Sequence, residues 1–412
     1  MNSFSQRPWP RFAAMIVPVI LVILLGIGLG ERSIPAPVVH LRIPSTIARA
    51  VPSPAPDTWP WPVSGQAAVG VEDIDDLVAL HGTQTPVPIA SLAKLMTAYI
   101  VLVHHPLLSG QPGPEIKVTS ADQGDWAEDL ATDQSSIPLQ RGEELTERQL
   151  LDALLVRSAN DVAKMLARWT AGSVAAFVHE MNTTAEHLGL HHTHYTSPSG
   201  YNPTTVSTAS DVLRLVELDM ANPTFAAIVD QPEVVLPLIP YPVRNYVKGI
   251  GRGGVVGVKS GFTNQAGGCI ALALRRPGPL GPVTSLAVVL GQQGYRSLDV
   301  AQNIAKTLDA ISSSALEKVI VLDKGEVVGY VKVPWRHRTT PVITGSGLTI
   351  MRWPTQSIKF EARLQPLSSN QLGLDQVVGD LVVKVDPHRQ WVVPLVAAEK
   401  ISPPSFWWRV WR

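Results

Sequence analysis

The sequence predicts an α+β body of about two hundred and fifty residues followed by a small all-β domain. Three observations predict it. The chain has 412 residues, which suits two domains better than one. Apolar residues make up 45% and charged residues 17%, enough for a sizeable core. Helical and strand-like apolar patterns mix up to about residue 312, and only short strand-like runs follow.

The elements follow in order. Phe12 to Gly30 is an uncharged apolar run of 19 residues, preceded by Arg7 and Arg11. As a helix it matches the ~30 Å hydrocarbon thickness of a bilayer. The arginines favour a cytoplasmic N-terminus, so the remainder faces outward. A cleaved signal peptide is the alternative, although its apolar core is usually shorter and no clear A-x-A site precedes Glu31. Residues 1–30 are therefore read as a transmembrane anchor or signal. Residues 31–62 carry Pro35, Pro37, Pro44, Pro52, Pro54, Pro56, Pro60 and Pro62, the composition of a semi-stiff spacer.

The body is expected over 63–312. Ala67–Val71 and Leu77–Leu80 alternate as two strands around the acidic turn Glu72–Asp76. A helix begins near Ser91, with Leu92, Leu95, Met96, Tyr99 and Ile100 at helical spacing. Residues 105–142 read as a polar loop. Thr146, with Gln149 three residues on, reads as an N-cap for the helix carrying Leu150, Leu151, Leu154 and Leu155. Further helices are expected through Val162–Trp169, Phe177–Leu188 and Asp211–Leu218. Strands are expected at Val255–Lys259, Cys269–Leu274 and Ser285–Leu290, with a closing helix at Ser297–Ile311.

The β-rich domain is expected over 313–400, in strands at Val319–Leu322, Val327–Val333, Leu348–Arg352, Ile358–Leu364, Gly379–Val385 and Val392–Val396. The tail 401–412 ends in Phe406-Trp-Trp-Arg-Val-Trp-Arg412. It is too short to span a bilayer, but Trp and Arg favour the lipid interface.

Composition excludes some functions. With 34 basic and 34 acidic residues, no basic excess points to nucleic acid. A single cysteine, Cys269, rules out an intrachain disulfide framework, and its apolar strand makes it a core residue. His187, His191, His192 and His194 cluster, but no Glu or Cys spacing completes a metal site, and no cofactor is expected. The glycines from Gly249 to Gly254 lead into a strand and lack the strand-before, helix-after context of a phosphate loop.

Three short patterns carry the chemistry: Ser91-Leu-Ala-Lys94, Ser158-Ala-Asn160 and Lys259-Ser260-Gly261. Serine and lysine at i and i+3 share a helix face, and a lysine in a dry cleft can lose its proton and activate the hydroxyl. Each pattern alone is ordinary. Their order, each on a suitable element, points to a penicillin-recognising serine enzyme. Ser91 would attack a carbonyl with Lys94 as base. Ser158 and Lys259 could pass a proton to the leaving amine. Asn160 could hold the substrate amide, and Lys259 and Ser260 a terminal carboxylate. Gly261 would let a peptide backbone pass close to the strand. The N–H groups of Ser91 and Phe262 would bind the oxyanion.

The chain resembles the low-molecular-mass penicillin-binding proteins that are D-alanyl-D-alanine carboxypeptidases, over about residues 66–312. Ile89-Ala-Ser-Leu-Ala-Lys-Leu-Met-Thr-Ala98 looks like their nucleophile helix. Gly142-Glu-Glu-Leu-Thr146 and Leu154-Leu-Val-Arg-Ser-Ala-Asn-Asp161 look like the second motif and its approach. Phe177-Val-His-Glu-Met-Asn182, Leu188-Gly189, Thr193-His-Tyr195, Ser197-Pro-Ser-Gly200 and Ser207-Thr-Ala209 match the middle segment. Gly257-Val-Lys-Ser-Gly-Phe-Thr263 and Ala266-Gly267 match the third motif. The chain departs in having Ser260 where threonine is common, which keeps the hydroxyl, and Phe262 at a variable position. The resemblance implies a β-lactamase/transpeptidase-like domain acting outside the cytoplasm. Its substrate would be the peptidoglycan pentapeptide and β-lactams its inhibitors. The family often places an arginine near the carboxylate, and Arg296 is the candidate. A β-lactamase of the commonest class would need a Glu-activated water, and no Glu-x-x-Leu-Asn segment lies between the second and third motifs. An endopeptidase on crosslinked peptides and a silent wall-binding scaffold remain as alternatives.

Overall fold

The computed structural model describes residues 34–43, 56–72, 75–108, 110–353, 356–367, 371–385 and 389–410. These form two compact units. The first comprises 56–317 with 351–353, the second 34–43, 318–350 and 356–410. The expected anchor within residues 1–30 lies outside the described residues. Among those described, no helix is long and apolar enough to cross a membrane.

The first unit is built on a five-stranded antiparallel sheet. Its strands are β1 (Gln66–Val71), β2 (Asp75–His81), β3 (Val255–Thr263), β4 (Gly267–Gly278) and β5 (Gly281–Gln292). Their order is β3-β4-β5-β1-β2, so the N-terminal hairpin closes the sheet built by the later strands, and β3 is left at an edge. Both faces are covered. Ile270, Leu272 and Leu274 of β4 face one way, with Ala287 and Val289 of β5, into a core shared with Ala301, Ala305 and Leu308. Cys269, Ala271 and Ala273, with Leu286, Val288 and Leu290, face the other way into the main helical core. A sheet covered twice needs no polar alternation, and this explains the continuous apolar runs in these strands.

Helix α1 (Ala93–His104) runs through the helical core, and nine of its residues from Ala93 to Leu102 are buried. Such all-round apolarity marks a central helix. Helix α2 (Ser120–Ala131) corrects the expectation of a loop over 105–142. It lacks an apolar stripe because ionic contacts hold it. Arg168 binds Asp122 and Asp125, and Lys164 binds Asp125 and Asp129. A capping box starts it: Thr119 N–H donates to Asp122 Oδ2 (2.7 Å) and Asp122 N–H to Thr119 Oγ1 (3.3 Å).

Helix α3 (Glu147–Asp152) opens on the expected capping box, with Thr146 N–H donating to Gln149 Oε1 at 2.9 Å and Gln149 N–H to Thr146 Oγ1 at 3.2 Å. A wider turn over Ala153–Arg157 then leads to α4 (Asn160–Ala171). Helices α5 (Val174–His187), α6 (Ala209–Met220) and α7 (Pro223–Val229) follow, and α8 (Ser297–Ser314) packs on β4 and β5. Of these, α7 was not expected. It has only seven residues, and its start is set by Asn222 Oδ1 accepting from Thr224 and Phe225 N–H.

The second unit contains a six-stranded antiparallel sheet. Its order is Val38–Leu41, Val327–Lys332, Thr340–Thr344, Gln390–Ala397, Val377–Lys384 and Lys359–Leu364. The strand Val38–Leu41 corrects the reading of 31–62 as spacer alone. Its four residues lie between Pro37 and Pro44 with every backbone N–H free to pair, and they register Val38 with Lys332. Thr340–Thr344 was also missed, because Pro341 disguises it. Buried valines and leucines such as Val331, Val342, Leu381 and Leu395 fill this unit's core. In the tail, Phe406–Val410 is a short helix with Phe406 and Trp407 exposed.

Candidate active site

Ser91 sits in the single tight turn Ala90–Leu92 that opens α1. Lys94, one turn on, is fully buried. Its Nζ donates to Ser91 Oγ at 2.9 Å, Asn160 Oδ1 at 2.6 Å and the Ser199 carbonyl at 3.0 Å. Burial, and then the Lys259 charge, hold the Lys94 amine well below the ordinary lysine range, against the opposing pull of Asp129 and Asp161. A neutral amine has two N–H bonds and one lone pair. When the amine sheds the proton it donates to Ser91, Asn160 and Ser199 can accept the two that remain, which leaves the lone pair for the Ser91 hydroxyl.

The second pattern arrives through the wide turn before α4. Ser158 has φ +64, a left-handed conformation that is uncommon outside glycine. It is 4% exposed, as is Asn160. Asn160 opens α4, and its N–H donates to the Ser135 carbonyl at 2.7 Å. Its Nδ2 donates to Gln134 Oε1 at 2.6 Å. Behind it, Asp161 Oδ2 accepts from Ile137 N–H at 3.1 Å. Burial is the largest influence on the Asp161 carboxyl and raises it to about 7 despite these bonds.

The third pattern lies on edge strand β3. Lys259 is buried, its Nζ donates to the Ser260 carbonyl at 3.0 Å, and burial lowers its amine to about 7. A Cβ built on Gly261 would lie 2.9 Å from Ser91 N and 3.1 Å from Ile89 O. Only glycine lets the strand pass this close to the serine turn. Phe262 is 54% exposed at the rim.

These elements enclose a cleft of about 250 Å³, lined among others by Ser91, Ser158, Asn160, Ser260, Gly261 and Phe262. Lys94 and Lys259 lie buried beneath it. The structure therefore brings together every expected site residue except Arg296. That guanidinium is 63% exposed and pairs with Asp299 at 2.6 Å, and Arg296 does not line the cleft. The expectation for Arg296 is corrected: a carboxylate three residues along its own chain holds it. Leu298, two residues on, lines the cleft instead.

Sequence reading missed several neighbours. Gln134 and Ser135 belong to the stretch taken as a loop, and Tyr201 and Tyr246 complete the rim. Ser199 lay within a quoted motif, but its contribution is a backbone carbonyl, which no side-chain pattern signals. Among the described residues no cluster of three potential metal ligands occurs. Cys269 is buried opposite Gly261 in the sheet register, and burial raises its thiol to about 12.

A serine hydroxyl 2.9 Å from a buried lysine amine, a second buried serine, and a second buried lysine on an edge strand are the groups an acyl-enzyme mechanism would need. Comparison with known proteins gives the family. The D-alanyl-D-alanine carboxypeptidase family profile matches residues 66–292, and the chain belongs to that family. It is 32% identical over 215 residues to a D-alanyl-D-alanine carboxypeptidase of Mycobacterium tuberculosis, covering 48% of this chain and 66% of that one. It is 29% identical over 218 residues to a D-alanyl-D-alanine endopeptidase of Pseudomonas aeruginosa, covering 51% and 66%. The chain thus spans just under two thirds of the length of these two relatives. Penicillin-binding protein 5 of Haemophilus influenzae shares the fold, with a TM-score of 0.60 at 19% identity over 83% of this chain and 98% of that one.

Proposed function

We propose that this protein removes the terminal D-alanine from peptidoglycan stem pentapeptides through an acyl-enzyme on Ser91. One observation carries the reading: a buried Lys94 amine, held well below its ordinary range, stands 2.9 Å from Ser91 Oγ. Ser91 Oγ attacks the carbonyl carbon of the penultimate D-alanine, and its proton passes to Lys94 Nζ. The N–H groups of Ser91 and Phe262 receive the developing oxyanion. Ser158 relays a proton to the peptide nitrogen, supported by Lys259, and the C–N bond breaks to release D-alanine. Water then attacks the ester and frees Ser91. Lys259 and Ser260 hold the terminal carboxylate, and Asn160 holds an amide of the acyl part. β-Lactams enter the same path and stop at the ester.

The apolar run at 12–30 would tether the body outside the cytoplasm, and Phe406 and Trp407 would touch the lipid interface. The resemblance to an endopeptidase keeps a second reading in view, cleavage of a crosslinked D-alanyl bond by the same acyl-enzyme. The test is D-alanine release. A pentapeptide should lose one D-alanine faster than a crosslinked dimer is cut, and a chromogenic cephalosporin should not turn over rapidly. Fast cephalosporin turnover with no D-alanine release would replace the peptidase by a β-lactamase.

A further inference from the structure

Asn160 is the group assigned above to the substrate amide, yet its side chain is already engaged at both ends. Oδ1 accepts from Lys94, which fixes the amide so that Nδ2 faces the other way. Nδ2 donates to Gln134 Oε1 at 2.6 Å. Asn160 is only 4% exposed, and its Nδ2, the donor a ligand amide would need, is taken by Gln134. Gln134 and Asn160 line the same cleft as Ser91 and Gly261.

The chemistry of this contact is that of a substrate. A glutamine side chain is a primary carboxamide, and its carbonyl oxygen is the same acceptor as the carbonyl of a peptide or penicillin side-chain amide. Little else holds the Gln134 side chain. It is half-exposed and follows exposed Asp133, which has φ +54. Its remaining side-chain bond is Nε2 to Thr132 Oγ1 at 2.8 Å, on an exposed residue. The backbone behind it is fixed. Gln134 N–H donates to the Asp129 carbonyl at 2.8 Å, the Ser135 carbonyl accepts from Asn160 N–H at 2.7 Å, and Ile137 N–H donates to Asp161 Oδ2. A loop fixed by backbone hydrogen bonds therefore presents a part-exposed amide at the Asn160 donor.

We propose that Gln134 is a specificity-determining positioning residue: its side-chain amide occupies Asn160 as an internal stand-in for the ligand's acyl amide, and ligands bearing such an amide bind by displacing it. This rests on the functional reading above. Ligands without an acyl carbonyl neither need the displacement nor gain from it. Removing the stand-in thus favours one ligand class over the other. The net worth of one such hydrogen bond corresponds to about three- to tenfold in rate.

The test compares acylation of the full chain by benzylpenicillin, which has a side-chain carbonyl, and by 6-aminopenicillanic acid, which lacks it. In Gln134→Ala the ratio of the two second-order rate constants should rise about three- to tenfold over the wild type. Gln134→Met, which keeps the length and loses the acceptor, should raise it likewise and serves if the alanine variant does not fold. A ratio that stays constant or falls in the folded variant overturns the proposal, since a merely structural role for Gln134 would move both penicillins together. A wild-type chain acylated by neither compound would overturn the functional reading itself, and the proposal with it.

Discussion

Replacing Lys259 by methionine should stabilise the first unit and change how its stability depends on pH. Lys259 is buried, and burial lowers its amine from the ordinary lysine value to about 7. Between these two values the unfolded chain holds a proton that the folded chain has shed. Unfolding therefore takes up a proton, and stability rises with pH. From pH 7.5 to 8.5 the folded amine is mostly neutral and the unfolded amine is charged. At ~1.4 kcal/mol per proton per pH unit, Lys259 should add on the order of 1 kcal/mol across that interval. The other titrating groups remain in the variant, with Lys94 relieved of the Lys259 charge that helps to lower it. The stability advantage of Lys259→Met should therefore shrink by on the order of 1 kcal/mol from pH 7.5 to 8.5. Urea unfolding followed by tryptophan fluorescence at both pH values measures it. An advantage that stays the same at both would refute the reasoning, because the folded lysine would then carry its proton throughout.

Other perturbations probe the site and the frame. Gly261→Ala sets a Cβ against the backbone of Ser91 and Ile89, at 2.9 and 3.1 Å, and should slow penicillin acylation about tenfold or more. A rate within twofold of the wild type would contradict that close approach. Ser158→Ala should lower kcat for D-alanine release by about a hundredfold or more, as loss of a proton relay does. Thr119→Ala removes the cap of α2 and should cost about 1 kcal/mol in urea unfolding.

The three chemical patterns were legible because they are local. Ser91 and Lys94 share one helical turn, and Lys259 to Gly261 share one strand. The apolar strands were legible because helices cover both faces of their sheet. What failed was held by contacts a periodicity search does not weigh. Helix α2 is tied down by Arg168 and Lys164 from a distant segment, so its own sequence looks like a loop. Val38–Leu41 is a strand only because Val327–Lys332 offers an edge to it. Arg296 was chosen by its place in the chain, but Asp299 on the following helix takes its charge. Gln134 has no signature at all, since its importance comes from a loop that sets one amide against another.

The central claim is that Ser91 is the nucleophile and that Lys94 activates it. Labelling with a fluorescent penicillin tests both together. The wild-type chain should form a stable covalent adduct, and peptide mapping should place it on Ser91. Ser91→Ala should give none, and Lys94→Met should give almost none while keeping its fold. An adduct that persists in Ser91→Ala, or that forms at the wild-type rate in Lys94→Met, would contradict the account.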